Sequence, residues 1–369
     1  MGKDRIIIIG AGMAGVSTAY FLTQRGVSNI LIIEKENMAG THSSGLNAAI
    51  LRTMIAEPEL NRLAREAADF YLNPPADFSS EPLMDRTGIY LAASWGNEPI
   101  LQKWCDDNPE TGMKPIDVAA VYERIPALAR GLGMATWKRD DGVMDVHAIL
   151  QGFLRGARRS GVEFRTGVEF LGLKTENDRV TGIETSAGFM EASKVVVANG
   201  AWASLAAPFG AYALPLVAHR RHLLITEVLP QVDSRWPVMW IAGEEFYFRP
   251  ESGGLLMCGC DAVAVTPDQG ETTDTAQIAG IAAKASRWLP SLENVRVANA
   301  WAGMRTFVAD DLFVIGADPR LAGLYWNAGL GGHGVTCAPL HGRLAADWIA
   351  DGGSSHPVAA SLSPARLLH

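Results

Sequence analysis

The chain has 369 residues, of which 40 are acidic and 32 basic, giving a formal net charge of −8. Its hydrophobic share of 48% and charged share of 20% are ordinary for a globular protein, and its length suits two domains. The acidic balance disfavours nucleic acid as a partner, and no apolar run approaches the roughly 20 residues of a membrane span. We therefore expect a cytoplasmic protein without a transmembrane segment. A peripheral contact with the inner membrane is left open.

The first 35 residues predict a strand, a glycine-rich turn, a helix and a second strand. Four isoleucines at 6–9 form an apolar strand, residues 16–25 read as a helix, and residues 30–33 form the second strand. This order is that of a βαβ unit.

The glycines of that unit have the spacing of a dinucleotide-binding turn. Gly10, Gly12 and Gly15 stand in G-x-G-x-x-G spacing, and Glu34 ends the second strand. Gly10 permits the tight turn, and Gly12 lets a pyrophosphate approach free N–H groups at the helix N-terminus. Gly15 lets the helix and strand pack closely, and Glu34 is placed to accept hydrogen bonds from a ribose diol. The motif alone does not distinguish FAD from NAD.

A loop of small residues follows the second strand and is predicted to pass close to the cofactor. Its hydrogen-bonding side chains are Thr41, His42, Ser43 and Ser44. Helices are then expected at residues 58–71, 100–106, 117–125 and 143–159, with a strand at 87–93. Asp145 is the expected N-cap of the last of these helices.

The middle of the chain predicts two kinds of sheet. Short strands at residues 162–164 and 170–174 precede a hairpin at 180–184 and 189–191. The buried run at 194–198 ends in Asn199-Gly200, which indicates another parallel strand with Gly200 near the ligand crevice. Alternating strands then follow, which predict a largely antiparallel sheet in a second domain; they lie at residues 219–226, 238–241, 245–249 and 255–260.

The C-terminal part returns to the first domain. A helix is expected at residues 273–288, a long strand at 295–305, and two further strands at 312–316 and 324–328. Residues 329–334, GLGGHG, form a second glycine-rich loop that opens a helix at 335–350. Such a helix N-terminus suits the anionic edge of a reduced flavin ring, which favours FAD. The tail from Gly352 is predicted to be loosely held.

The four cysteines have no spacing typical of a zinc or iron–sulfur site, and we expect no metal. Cys258 and Cys260 share one face of a strand. Small buried hydrophobic residues are the favoured interpretation, and a redox pair is the alternative.

Several of these stretches together resemble the D-amino-acid oxidase superfamily of flavoproteins. They are IIIIGAGMAGVSTAYFL, VVVANGAWA and MRTFVADDLFVIG followed by GLGGHGV. Within that superfamily the chain is similar to FAD-dependent D-amino acid dehydrogenases, D-arginine dehydrogenase among them. The resemblance implies an α/β fold, with a Rossmann-like FAD-binding domain of the glutathione-reductase type and an inserted, mainly antiparallel substrate domain. The expected boundaries are 1–85, 141–213 and 300–369 for the first domain, and 86–140 and 214–299 for the second.

The resemblance implies a bound FAD that is not covalently attached, since residues 307–312 contain no cysteine. The positions that it assigns to the cofactor are Gly10, Gly12, Met13, Ala14, Gly15, Glu34, Lys35, Thr41, His42, Ser43, Ser44, Val168, Asn199, Gly200, Trp202, Gly303, Gly329, Gly331, Gly332, His333, Gly334, Val335 and Thr336.

The resemblance also implies a substrate carboxylate held by Arg305 and Tyr247, with Arg221 as a further pocket arginine. A bidentate guanidinium and a tyrosine hydroxyl suit that role. His333, in the second glycine loop, is expected near the flavin ring.

The chain departs from the D-arginine enzyme near the pocket. Ile50 stands where that enzyme has a pocket histidine, and glycine stands near the position of its acidic residue, at Gly88. A pocket lined by Ile50, Met54, Ile55, Met239 and Trp240 favours an apolar side chain. Arg52 instead favours a second carboxylate, and the sequence leaves both readings open.

The reaction implied is oxidation of a Cα–N bond, with hydride transfer to flavin N5 and hydrolysis of the imino acid to a 2-oxo acid and ammonia. An amino acid, in the first place a D-amino acid, is the expected substrate. The alternative is a secondary amine such as an opine, sarcosine or another N-alkyl amino acid, oxidised by this chain as the subunit of a complex. The electron acceptor is left open between oxygen, a quinone and a partner protein.

Overall fold

The structure is a computed structural model that describes residues 4–292 and 295–368. Within these ranges the chain forms seven α-helices, which in chain order are α1 Met13–Gln24, α2 Pro58–Leu72, α3 Glu98–Asp107, α4 Val118–Arg124, α5 Val146–Arg159, α6 Thr275–Trp288 and α7 Ala338–Asp351.

The strands of the same ranges are β1 Ile6–Ile9, β2 Ile30–Glu34, β3 Ile50–Leu51, β4 Met84–Asp85, β5 Ile89–Ser94, β6 Pro115–Ile116, β7 Leu132–Lys138, β8 Gly142–Met144, β9 Glu163–Thr166, β10 Phe170–Glu176, β11 Arg179–Thr185, β12 Gly188–Glu191, β13 Lys194–Val197, β14 Val217–Thr226, β15 Val238–Ala242, β16 Phe246–Glu251, β17 Gly254–Cys258, β18 Val263–Ala264, β19 Val297–Phe307, β20 Val314–Ala317 and β21 Leu324–Ala328.

A six-stranded sheet is built around β1, in the order β20-β21-β13-β1-β2-β9. All neighbouring pairs are parallel except β20 with β21. Because β1 is buried on both faces, its continuous isoleucine run suits the centre of a parallel sheet. Helices α1, α5 and α7 pack on one face, and the antiparallel sheet β10-β11-β12 covers the other. The predicted parallel sheet and the β11–β12 hairpin are confirmed.

A nine-stranded sheet carries the other half of the molecule, in the order β18-β14-β17-β16-β15-β5-β7-β6, with β19 pairing to β14. It is antiparallel except where β15 runs parallel to β5. Strands β14 and β19 pair from Val217 opposite Phe307 to Thr226 opposite Val297. The predicted antiparallel sheet is confirmed. We propose that the two sheets mark the two domains, with the boundaries expected from the sequence.

Three expectations about helix ends and the tail were wrong. Helix α1 begins at Met13, directly after the second glycine of the motif, and α7 begins at Ala338. The residues before α7 form a turn in which the Cys337 N–H donates to the His333 carbonyl. The tail is packed rather than loose, because Leu362 is fully buried and its carbonyl accepts from the Ile315 N–H at 2.8 Å.

No helix in the described parts of the chain has the length and apolar character needed to cross a membrane.

Candidate functional site

A pocket lies between the two large sheets and is lined by residues of both. Its walls come from the carboxyl ends of β1 and β2, the loops after β2 and β21, and the pocket faces of β14, β15, β16 and β19. The residues assigned to the cofactor line this pocket with the exception of Gly15, and so do Arg305, Tyr247, Arg221, Arg52 and Ile50 at the substrate end.

Gly15 lies outside the pocket because it is a packing residue. A Cβ atom at this position would lie 1.9 Å from the Gly10 carbonyl oxygen. The third glycine therefore permits close contact between the helix and the turn, as its place in the motif predicts. It is not a wall of the cofactor site.

The adenosine end of the pocket presents acceptors and free donors in the arrangement that the motif requires. The Glu34 carboxylate accepts from the Ala11 N–H at 2.8 Å and the Glu36 N–H at 3.0 Å, which fixes its orientation. Gly10 has φ +102°, a conformation that favours glycine. Within the described ranges the N–H of Gly12, at the N-cap of α1, has no acceptor, so it is available to a pyrophosphate.

The loop after β2 lines the pocket and also makes hydrogen bonds within the protein. Both ring nitrogens of His42 are engaged, one with Glu271 at 2.7 Å and the other with Glu36 at 2.9 Å. Burial opposes protonation, but these two carboxylates together raise the pKa of His42. His42 lines the pocket with no ring nitrogen left for a cofactor, and it instead joins the loop to the segment before α6. Ser44 Oγ accepts from the Met13 N–H at 2.9 Å, which leaves its O–H group as a donor toward the pocket.

The second glycine-rich loop turns its carbonyl groups away from the pocket. His341 Nε2 donates to the Gly334 carbonyl at 2.8 Å, and the Tyr71 hydroxyl donates to the Val335 carbonyl. The N–H groups of Gly334, Val335 and Thr336 have no acceptor in the described part of the chain. A row of free donors thus lies ahead of α7, where an anionic group is stabilised.

A buried polar network, which was not predicted from the sequence, connects the two glycine-rich segments. The Asn327 side chain donates to Thr18 Oγ1 at 2.9 Å and lies 3.1 Å from His341 Nδ1. Thr18 in turn donates to the Ala14 carbonyl. Burial lowers the pKa of His341 to about 4, so the ring is neutral, with its proton on Nε2. The only sequence signal was the presence of polar residues inside an apolar strand and helix.

These features fit FAD. One end offers a glycine turn with a fixed carboxylate, and the other offers free N–H donors at a helix start. Between them the buried Oδ1 of Asn199, on the pocket wall, has no hydrogen-bond partner in the described residues. An acceptor left unpaired in this way is expected where a ligand donor binds. None of the four cysteines lines the pocket, which agrees with non-covalent binding.

The substrate end is formed by the pocket faces of β14, β16 and β19. Arg221 is opposite Gly303 and His219 is opposite Arg305, so the two arginines are diagonal neighbours on one face. The Arg305 guanidinium packs against the second glycine loop, where a Cβ atom on Gly332 would lie 2.7 Å from Nη1. Tyr247 is fully buried beside them. Burial raises the pKa of Tyr247, so its hydroxyl stays protonated and can donate.

The basic cluster at 219–222 separates onto two faces as the strand pattern predicts. His222 lies on the opposite face, fully buried, with Nδ1 2.7 Å from Asp261 and Nε2 accepting from the Asp274 N–H. Arg220 donates to the Thr272 carbonyl. Arg221 alone of this cluster lines the pocket.

The apolar lining expected from the sequence is largely absent. Ile50 and Trp240 line the pocket, whereas Met54, Ile55 and Met239 do not and are fully buried in the cores. Met239 precedes Trp240 on β15, and successive side chains of a strand point to opposite faces. Gly88 also lies away from the pocket, against the Trp137 ring.

Cys258 and Cys260 lie behind the substrate end, in the same buried cluster as Tyr247. The Cys260 N–H donates to Cys258 Sγ at 3.3 Å. Burial favours the Cys258 thiol, but the Cys260 thiol, the guanidinium groups of Arg221 and Arg305 and the Tyr247 hydroxyl together lower its pKa. The burial of Cys258 and Cys260 agrees with their interpretation as small hydrophobic residues, whereas the polar groups around them do not. In residues 4–292 and 295–368 no group of three or more acidic, histidine or cysteine side chains could hold a metal.

Comparison with known proteins agrees with this geometry. Residues 5–348 match the model of the family described as FAD dependent oxidoreductase, DAO. The chain is 27% identical to the β subunit of sarcosine oxidase from Rhizobium meliloti, covering 96% of this chain and 86% of that one. It is 26% identical to a glycine oxidase from Pseudomonas aeruginosa, covering 94% of both. Among solved structures, L-proline dehydrogenase from P. horikoshii superposes with a TM-score of 0.87 at 23% identity, covering 99% of this chain and 98% of that one.

Proposed function

The chain belongs to the FAD dependent oxidoreductase (DAO) family, and from this premise we propose that it oxidises the C–N bond of a secondary amine that carries a carboxylate. It is thus an FAD-dependent amine or amino acid oxidoreductase. The observation that carries the proposal is the group of Arg305, Arg221 and Tyr247 beside the second glycine-rich loop.

The two arginines are suited to hold the substrate carboxylate. In the described residues neither Arg221 nor Arg305 forms an ion pair, and the buried Nε of Arg221 has no partner. A guanidinium binds a carboxylate through two parallel hydrogen bonds, and the Tyr247 hydroxyl adds a third donor. Fixing the carboxylate on this wall places the adjacent C–N bond next to the second glycine-rich loop.

FAD, when bound, supplies a two-electron acceptor for the hydride that leaves the substrate carbon. The residues of the second glycine-rich loop and of the first glycine turn hold it. The side chain of His333 lines the pocket. Burial and the charges of Arg52, Arg305 and Arg221 lower the pKa of His333 well below its ordinary value, so its ring is neutral. A ring with so low a pKa is a weak base, so the reaction uses the neutral amine form of the substrate, and His333 adds no positive charge beside it. Water then hydrolyses the product imine to an oxo acid and an amine.

The sarcosine oxidase β subunit among the relatives supports a secondary amine, because sarcosine is one. A D-amino acid is the second candidate. It is favoured by the match of Arg305, Tyr247 and Arg221 to the residues that the resembled D-amino acid dehydrogenases use. In either case we propose that a small molecule is the substrate, and that oxygen, a quinone or a partner subunit takes the electrons.

Anaerobic mixing of the yellow holoenzyme with paired amines tests the proposal. Sarcosine is compared with glycine, and N-methyl-D-alanine and N-methyl-L-alanine with D-alanine and L-alanine, by the loss of flavin absorbance at about 450 nm. We expect the N-methyl compound of a pair to reduce the flavin at least tenfold faster. Faster reduction by D-alanine would favour the second candidate, and absence of reduction by every amine would refute both. Repeating the successful pair in air and with an artificial electron acceptor then separates oxidase from dehydrogenase activity.

A further inference from the structure

A third arginine, Arg52, lines the same pocket without an assigned role. It follows β3, and its guanidinium carbon lies 4.2 Å from the centre of the Trp240 ring and 5.9 Å from that of Trp104. Burial lowers the pKa of Arg52 to about 10, so it remains charged at neutral pH. Its aromatic neighbours stabilise a cation but cannot neutralise it.

No carboxylate in the described residues pairs with Arg52. The nearby Asp141 is turned away, because its two oxygens accept from the N–H and the hydroxyl of Thr53, both at 2.8 Å. Glu57, the other acidic group in its vicinity, makes no ion pair with it within those residues. A charged group in a pocket without a counter-ion is costly, unless a ligand supplies the opposite charge.

Arg52 is connected to the carboxylate clamp through a pair of aromatic rings, and the charge of Arg305 contributes to lowering the pKa of Arg52. The Trp240 ring stacks on the Tyr247 ring, with centres 4.5 Å apart and planes at 15°. The Arg52 guanidinium therefore lies within about 9 Å of the Tyr247 ring, since Trp240 contacts both at 4.2 and 4.5 Å. Two anionic groups on one small molecule can span such a distance.

We propose that Arg52 forms a second carboxylate subsite, and that the substrate is an amine bearing two carboxylates. One carboxylate binds Arg305, Arg221 and Tyr247, and the other binds Arg52 against Trp240. This inference rests on the proposed function for the reaction, whereas the subsite itself is a statement about binding. The second carboxylate belongs either to the nitrogen substituent, as in an iminodiacid, or to the side chain, as in an acidic amino acid.

Binding of two unreactive thioethers to the holoenzyme tests the subsite without turnover. Thiodiacetate carries two carboxylates and (methylthio)acetate carries one, and both are measured by isothermal titration calorimetry and by the change in the flavin spectrum. A hydrogen bond between charged groups is stronger than one between neutral groups, so we expect thiodiacetate to bind at least about tenfold more tightly.

Variants of Arg52 locate the effect. In R52M the ratio of the two affinities is expected to fall to within about twofold, and in R52K, which keeps the charge, it is expected to be intermediate. R130M is the matched control, because Arg130 also lies over an aromatic ring, Tyr122 at 4.1 Å, but is exposed and outside the pocket. The R130M ratio should equal that of the unmodified protein. Thermal melting of each holoenzyme checks folding. If R52M fails to fold, the ratio of the two affinities in the unmodified protein and in R52K tests the subsite.

Equal affinities in the unmodified protein, or a preference that survives in a folded R52M, would overturn the subsite. Reaction rates then identify the carboxylate source, by comparing iminodiacetate with sarcosine, and D-aspartate and D-glutamate with D-alanine. A preference for thiodiacetate without flavin reduction by any amine would refute the proposed reaction and leave the subsite intact. Flavin reduction by sarcosine at the rate of iminodiacetate, together with reduction by D-alanine at the rate of D-aspartate and D-glutamate, would refute the inference and leave the reaction intact.

Discussion

Individual residues decide the chemistry of this pocket through their charge and through their hydrogen-bond and ion-pair partners. His42 has the right polarity for a cofactor loop, yet the protein uses both of its ring nitrogens for its own hydrogen bonds. Arg221 and Arg305 are the opposite case, because in the described residues neither forms an ion pair with a carboxylate and the buried Nε of Arg221 has no hydrogen-bond partner. A ligand is therefore expected at the arginines and not at His42.

We predict that Arg305→Ala raises KM for the substrate at least about thirtyfold. Removing one partner of a buried charge pair costs roughly 2–5 kcal/mol, and each 1.4 kcal/mol is a tenfold change. The measurement is steady-state kinetics with the amine that reduces the flavin fastest. Arg287→Ala is the control, since Arg287 is an exposed partner of Glu244 on α6. An unchanged KM in the Arg305 variant would contradict the carboxylate assignment.

His341 gives a prediction about acid stability. Its pKa in the folded state is about 4, below the ordinary value of about 6.5, because it is buried. The unfolded chain therefore binds a proton first, and the stability due to the neutral ring is present above pH 6.5 and lost as the pH falls to 4. The full shift corresponds to about 3 kcal/mol.

Urea unfolding of the holoenzyme at pH 4.5, 5.5 and 6.5 measures this effect. In His341→Gln the unfolding free energy should decrease less across this range, because up to one proton fewer is taken up on unfolding. His147→Gln, at an exposed position on α5, should retain the decrease of the unmodified protein. Parallel curves for His341→Gln and the unmodified protein would contradict the assignment of a neutral buried ring.

At the level of elements, the sequence predicted the order and type of the long periodic segments. The apolar runs at β1, β2 and β13 and the helix faces of α2, α5 and α6 were all found in the structure. The starts of α1 and α7 were misplaced, since a glycine-rich turn enters a helix without a side-chain cap and leaves no signal at its first residue. The tail was misjudged because composition does not reveal that Leu362 accepts a hydrogen bond from β20.

Two glycine-to-alanine substitutions in helices should have opposite effects. Gly15→Ala places a Cβ atom 1.9 Å from a backbone carbonyl, so we expect loss of FAD binding and a lower melting temperature. Gly280→Ala on α6 has open space around the new Cβ atom and should stabilise the protein by up to about 1 kcal/mol. Thermal melting and flavin retention on gel filtration measure both. A Gly15→Ala protein that keeps its flavin and its melting temperature would refute the packing role.

At the level of the whole molecule, the pocket joins elements that are far apart in the chain. The first glycine turn and the second are linked by the buried Asn327–His341 network, and walls from both large sheets meet at the cofactor site. A ligand that touches all of these elements stabilises the native state alone.

Removal of FAD should consequently lower the melting temperature. Saturation at a hundred times Kd contributes about 2.7 kcal/mol relative to the apoprotein. Differential scanning calorimetry of the holoprotein and the apoprotein, and of the apoprotein with added FAD or ADP, measures this. ADP fills only the end at Gly10–Gly15 and Glu34, so it should restore less stability than FAD. Equal recovery with ADP would show that the second glycine-rich loop contributes no binding energy.

The sequence by itself determined the dinucleotide unit, the second glycine-rich loop and the alternation of Arg221 with His222, because these depend on local spacing and on strand periodicity. Only the tertiary structure decided which polar groups remain free to bind a ligand. His42 is hydrogen-bonded to Glu271, and Arg52 lies beside Trp240 without a carboxylate partner in the described residues. Partnership between residues more than a hundred positions apart depends on how the two sheets meet, and no local pattern carries that information.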